Sequence, residues 1–306
     1  MTARITGRTI VLMTLPPLLW ASNAIVGRLL VGSVPPVTLN FLRWALAVLL
    51  LLPIAWRTLC RPGEIVARWR YLAAIGVLGV GSYNALLYLA LETSTPINVT
   101  LIAASTPVWM LAIGALAYRE HPSPRQLLGA AFSLAGVVTV MVRGQPALLA
   151  QLRFVPGDLY VVVAVIAWSF YSWLLARPPA SMRPPARPDW DWAGILLLQA
   201  LFGLAFTGST AAVEQALGAA PIVWTGWIAA ALVFIAVGPS IVAYRCWGLG
   251  VAEGGPALAA FFGNLAPVFA ALMSAALLGE APQAFHAVAF ALIVAGIVGS
   301  AGRRAA

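Results

Sequence analysis

The chain has 306 residues, 62% of them hydrophobic and 9% charged, against about 45–50% and about 25% in ordinary soluble domains. A soluble fold this apolar would have to expose a greasy surface, so composition excludes that class and leaves a membrane protein. The formal charge of +9 does not indicate nucleic-acid binding, because the arginines sit in short loops between apolar runs, as cytoplasmic anchors do.

A hydrocarbon core about 30 Å thick is crossed by roughly 20 apolar helical residues. Runs of that length occur at about 9–31, 36–56, 70–91, 96–118 and 124–142, and again at about 158–176, 190–212, 224–249, 256–278 and 284–302. Arg4 and Arg8 ahead of the first run resemble a signal peptide. No cleavage-site pattern follows and nine further runs do, so the first run is expected to be a retained helix. Between the fifth and sixth runs, residues 143–157 show no obvious secondary structure. The Pro- and Arg-rich residues 177–189 predict a stiff polyproline-like linker.

All 18 basic residues are Arg, a usage that suggests a GC-rich bacterial genome. With the N-terminus inside, thirteen arginines fall on the cytoplasmic side and only Arg143 and Arg153 on the other. The arginine bias therefore predicts cytoplasmic N- and C-termini. Arg28, Arg43 and Arg245 fall within runs. Cys60 and Cys246 lack any paired or metal-ligand spacing.

The ten runs divide into two sets of five. Residues 94–143 laid over 254–303 without gaps give eleven identities, among them Pro96 on Pro256, Pro107 on Pro267, Glu120 on Glu280 and Pro122 on Pro282. Trp20 falls on Trp168 at a shift of 148. An odd number of spans per half makes the second half enter the membrane upside down. The expected fold is thus all-α and integral to the membrane: ten transmembrane helices as two inverted five-helix repeats. The first repeat is 1–145, a connecting loop 146–157, and the second, inverted repeat 158–306. In such architectures the substrate site lies near the midplane between the repeats.

Residues at middle depth are the candidates for that site. Trp20 and Asn23 share a helical face, as do Trp168 and Tyr171 in the second set. Asn84 and Tyr88 share one on the third run, with Tyr83 alongside. Trp109 follows Ser105 by four on the fourth, and Phe261 precedes Asn264 by three on the ninth. Aromatic faces with amide and hydroxyl groups at this depth suit an aromatic or apolar side chain, and a cation–π contact could hold an ammonium group. For each ring the plainer alternative is packing or lipid contact. Pro107 and Pro267 lie near the middle of runs four and nine, where missing N–H groups would kink the helices and leave the carbonyls of Ala103 and Gly263 without helical partners. They are candidate hinges beside the pathway. Arg43, inside run two, is either a contact for a substrate carboxylate or a structural anchor. Arg28 and Arg245 are near enough to run ends to snorkel. Glu120 and Glu280 are read as structural residues at the starts of runs five and ten.

The Trp20-Ala21-Ser22-Asn23 segment resembles the W-x-x-N signature of the drug/metabolite transporter superfamily, EamA-type. Arg43, Ala90-Leu91-Glu92, and the pair Thr106-Pro107…Glu120 and Ala266-Pro267…Gly279-Glu280 extend the resemblance over essentially the whole chain. It implies ten helices in two inverted repeats and export or exchange of amino acids, sugars or drugs. The density of aromatics resembles the bacterial aromatic amino acid exporter branch. The expectation is a bacterial inner-membrane exporter or facilitator of aromatic or hydrophobic amino acids, with a broad drug/metabolite exporter as the alternative. The expected partners are a small-molecule substrate and the lipid bilayer. No nucleic acid, cofactor or metal is expected, and a monomer is compatible with the pattern.

Other classes lack their residues. No HExxH, GxSxG or paired mid-membrane carboxylate suggests an intramembrane enzyme. No Walker A segment, charged ring or carbonyl-filter motif suggests an ATP-driven pump or a channel. All nine acidic residues and both histidines fall at or near loops, so no proton relay is expected.

Overall fold

A computed structural model describes residues 6–91, 93–94, 96–151, 153–278 and 283–300. Among these residues the fold is helical, without strands. The helices are α1 (Gly7–Leu29), α2 (Pro36–Leu59), α3 (Pro62–Val66), α4 (Trp69–Ile75), α5 (Tyr83–Leu91), α6 (Pro96–Ala103), α7 (Thr106–Tyr118), α8 (Pro124–Met141), α9 (Pro156–Ala176), α10 (Trp192–Ala216), α11 (Gly226–Ile235), α12 (Ala243–Gly263), α13 (Ala266–Leu278) and α14 (Ala284–Ser300). Two π-helical segments join α4 to α5 (Gly76–Ser82) and α11 to α12 (Ala236–Val242).

Among the described residues, seven stretches are long and apolar enough to cross a membrane, so this is a multi-pass membrane protein. Among the runs that do not qualify, the last is a helix of only 17 residues. The eighth run and the start of the ninth join into Gly226–Gly263, whose 38 residues rise about 57 Å, nearly twice the hydrocarbon thickness. Within it Gly255 takes φ 82°, outside the helical region, immediately before Pro256.

Element boundaries recur at a shift of 160: the π segments, the starts of α5 and α12, both ends of α7 and α13, and the starts of α8 and α14. Apolar lipid gives helices no hydrophobic reason to associate, so close backbone packing has to hold them. The α8–α14 pair shows how. A Cβ on Gly129 would lie 2.7 Å from the Gly296 carbonyl oxygen, and one on Gly136 would lie 2.8 Å from that of Ala289. Residue order reverses between these contacts, so the two helices run antiparallel. So do α2 and α10. Glu214, near the end of α10, accepts from the amides of Val37 and Thr38 at 2.9 and 2.6 Å, while Gly194 at the other end packs on Thr58.

Three connections differ from expectation. Residues 177–189 are not a free rod. They include a 3-10 turn at Ala180–Met182, Met182 and Trp190 are buried, and Arg68 donates to the carbonyls of Ser181 (3.0 Å) and Ala186 (2.7 Å). A guanidinium with several donors gathers carbonyls that proline leaves without helical partners. Residues 146–151 form a 3-10 helix. Glu120 pairs with Arg177 across to the end of α9, whereas Ser123 and Gln126 cap the start of α8. Glu280 lies outside the described residues, as does the side chain of Arg28.

Candidate functional site

A cavity of about 350 Å³ opens at the centre of the helices. Its walls come from α1 (Trp20, Asn23), α2 (Arg43), α5 (Tyr83, Asn84), α6 (Thr100, Ala103), α9 (Trp168), α12 (Tyr244, Trp247, Asn264 just beyond its end) and α13 (Pro267).

Its apolar wall is a cluster of rings around Trp168. The centroids of Trp20 and Trp247 lie 5.3 Å from that of Trp168, and those of Tyr83 and Tyr244 at 5.6 and 5.7 Å. Trp20 and Trp247 are themselves 5.3 Å apart. Most pairs are edge-on or tilted, the arrangement that ring quadrupoles favour, and each such pair contributes about 0.5–1.5 kcal/mol beyond area burial.

The polar ends of these rings are held by irregular backbone. A π turn widens the helix and releases carbonyls from regular pairing, which at mid-membrane depth need other donors. Tyr244 donates to the Gly79 carbonyl at 2.5 Å in the first π segment, and Trp20 Nε1 to that of Pro239 at 3.1 Å in the second. Arg43, 3% exposed, donates through Nε to Ser240 Oγ at 3.1 Å, and Ser240 in turn donates to the Ile235 carbonyl at 2.9 Å. Trp247 Nε1 donates to Ser172 Oγ at 3.2 Å. The ring cluster is therefore braced by hydrogen bonds as well as packing.

The breaks on the opposite wall meet each other. Helical pairing fails at Ala104–Ser105 and at Asn264–Leu265. Asn264 Nδ2 donates across to the Ala104 carbonyl at 3.1 Å and to Ser133 Oγ at 2.8 Å, while the Ala103 carbonyl accepts from Thr106 Oγ1 at 2.5 Å. Pro107 and Pro267 are thus not inside bent helices. Each is the second residue of the helix that follows a break, where a missing N–H is not needed.

Of the residues singled out by sequence, Trp20, Asn23, Arg43, Tyr83, Asn84, Trp168, Asn264 and Pro267 line this cavity. Tyr171 does not. It packs behind Trp168 at 4.9 Å and accepts from Gln199 Nε2 at 3.1 Å. Trp109 turns back along its own helix to Oγ of Ser105, four residues before it, at 3.2 Å. Pro107 lies outside the lining, and Phe261 faces a different cleft. The side chain of Tyr88 lies outside the described residues. Tyr244 and Trp247 were missed, although they are three apart on one helical face, the spacing that marked Trp20 and Asn23.

The chain matches the EamA-like transporter family twice, over residues 7–142 and 155–302. It is 27% identical over 292 residues to the aromatic amino acid exporter YddG of Ancylobacter novellus, covering 91% of this chain and 92% of that protein. It is 25% identical over 229 residues to the uncharacterized transporter YyaM of Bacillus subtilis, covering 74% and 72%. A solved structure described only as the crystal structure of a protein superposes with TM-score 0.72 at 25% identity, over 96% of both chains. Two matches to one family, with helix boundaries that recur between the two matched regions, establish the assignment: this chain belongs to the EamA-like transporter family.

Proposed function

We propose that this transporter exports aromatic or hydrophobic amino acids across a bacterial inner membrane by alternating access to the central cavity. The observation that carries the reading is the ring cluster around Trp168 beside Arg43 and the amides of Asn23, Asn84 and Asn264. Rings accept a flat apolar side chain, a guanidinium suits a carboxylate, and amide oxygens and ring faces suit an ammonium group. The cavity volume falls within the about 300–1,000 Å³ of small-molecule sites. The name of the Ancylobacter relative supports the substrate class.

In this reading the chain crosses ten times, as two inverted five-helix repeats with both termini cytoplasmic. The shift of 160 between element boundaries, the antiparallel pairing of α2 with α10 and α8 with α14, and the arginine distribution support it. Pro107 and Pro267 mark the breaks about which α7 and α13 would pivot. Among the described cavity-lining residues there is no carboxylate or histidine, which supports movement down the substrate's own gradient. A broad exporter of flat cations is disfavoured by the buried guanidinium in the wall.

Counterflow in proteoliposomes tests the substrate. Labelled Trp and Phe should exchange faster than Thr, with no exchange of a monosaccharide or of ethidium. Exchange of the sugar or the cation alone would refute the amino-acid reading.

A further inference from the structure

A second, larger cleft of about 710 Å³ lies between the ends of α7 and α9, the start of α8 and the Gly255 break of α12. Under the orientation given above it faces the cytoplasm. Its character differs from that of the central cavity. The floor is apolar, with Leu111, Trp173 and Phe261, and the rim carries both signs of charge, with Glu120, Arg125, Arg177 and Glu253. Phe261 is fully buried beneath this floor, while its neighbour Ala260 faces the central cavity, so one turn of α12 separates the two spaces. Two of the rim acids are already engaged. Glu120 pairs with Arg177, and Glu253 pairs with Arg8 at 3.1 Å and accepts from Thr9 Oγ1 at 3.3 Å. These pairs are part-exposed, and such pairs contribute at most about 1 kcal/mol, so a ligand's charges can replace them at small cost.

We infer that this cleft is a second binding site, a cytoplasmic loading site for a free zwitterionic amino acid before it enters the central cavity. The inference rests on the export reading above. Arg125 receives the substrate carboxylate. Glu253 receives the ammonium group, and Trp173, Ala176 and Ala257 carry the side chain. The central cavity holds a guanidinium but, among its described lining residues, no carboxylate. A zwitterion is therefore matched in both charges at the cleft and desolvates one end at a time on moving inward.

The experiment measures binding of labelled L-phenylalanine to the purified full chain, together with its uptake into inside-out membrane vesicles. Two molecules should bind per chain. Arg125→Ala and Glu253→Gln should each reduce this to one and raise the half-saturating concentration for vesicle uptake about tenfold, as expected when a charge-assisted contact is lost. Trp168→Ala should remove the other molecule and leave the cleft's. Both rim residues are exposed at the surface, so their substitution should leave the fold intact. One molecule per chain, lost in Trp168→Ala and indifferent to Arg125→Ala, would overturn the loading site and leave the export reading standing. Absence of any amino acid binding would overturn both.

Discussion

Trp168 is in ring contact with five other aromatics, more than its pairing with Trp20 in the repeat would require. Removing it takes away the centre of the wall on which a side chain would stack. Trp168→Ala should lower amino acid exchange roughly tenfold or more, whereas Trp168→Phe, which keeps a ring face, should retain much of it. Size-exclusion profiles and circular dichroism would show whether both variants remain folded, since opening a cavity at a buried tryptophan costs about 3–5 kcal/mol. Equal exchange by the alanine and wild-type proteins would remove Trp168 from the site. Much of this residue-scale picture was legible in sequence, because helical spacing alone puts Trp20 with Asn23 on one face. Trp109 was only partly so: spacing put it with Ser105, to which it bonds, but could not tell that it stays out of the cavity lining. Tyr244 and Trp247 have the right spacing but flank Arg245 near the end of the run at 224–249, where aromatics also serve as interfacial anchors.

At the scale of elements, prolines marked the broken spans but not the position of the breaks. Chain geometry puts proline after an interruption more comfortably than inside a helix, and the two breaks fall two residues before Pro107 and Pro267. What joins them is Asn264, whose amide reaches the Ala104 carbonyl on the opposite broken span. Asn264→Ala would leave that buried oxygen without this donor, at a cost of about 1–3 kcal/mol. The thermal midpoint in detergent should fall. Asn264→Asp should fall further, since an ionised carboxylate offers Ala104 an acceptor where a donor is needed. A midpoint unchanged in both variants would mean that the two breaks are held by other contacts. The π segments left little trace in sequence. Gly76, Gly79 and Gly81 hint at close approach, as a Cβ on Gly79 would lie 2.7 Å from the Tyr171 ring, but no spacing rule announces a five-residue repeat.

For the whole molecule, orientation and energy source are the two properties that decide which way substrate moves. Cys60 is exposed at the end of α2, on the side that the arginine bias predicts to be cytoplasmic. In a Cys246→Ser background, a membrane-impermeant maleimide should label Cys60 only after lysis, and labelling of intact cells would reverse the orientation. The energy source turns on carboxylates. Asp158 is fully buried, which its place beside a loop did not foretell, so it has to be considered as a proton carrier. Its partners argue against that role: Asn98 Nδ2 and the Val155 amide both donate to it at 2.9 Å, and Ser94 Oγ also donates. These three contacts make Asp158 a structural acceptor that ties the start of α9 to Ser94 and Asn98. Asp158 is also absent from the described cavity lining, where a coupling proton would have to compete with substrate. Exchange of phenylalanine should therefore proceed at the same rate with and without an imposed pH gradient. Asp158→Asn should destabilise the protein, since an amide puts a donor where Ser94, Asn98 and Val155 need acceptors, without making transport respond to pH. A requirement for the gradient in the wild-type protein, abolished by Asp158→Asn in chains that remain folded, would instead make this carboxylate the coupling group.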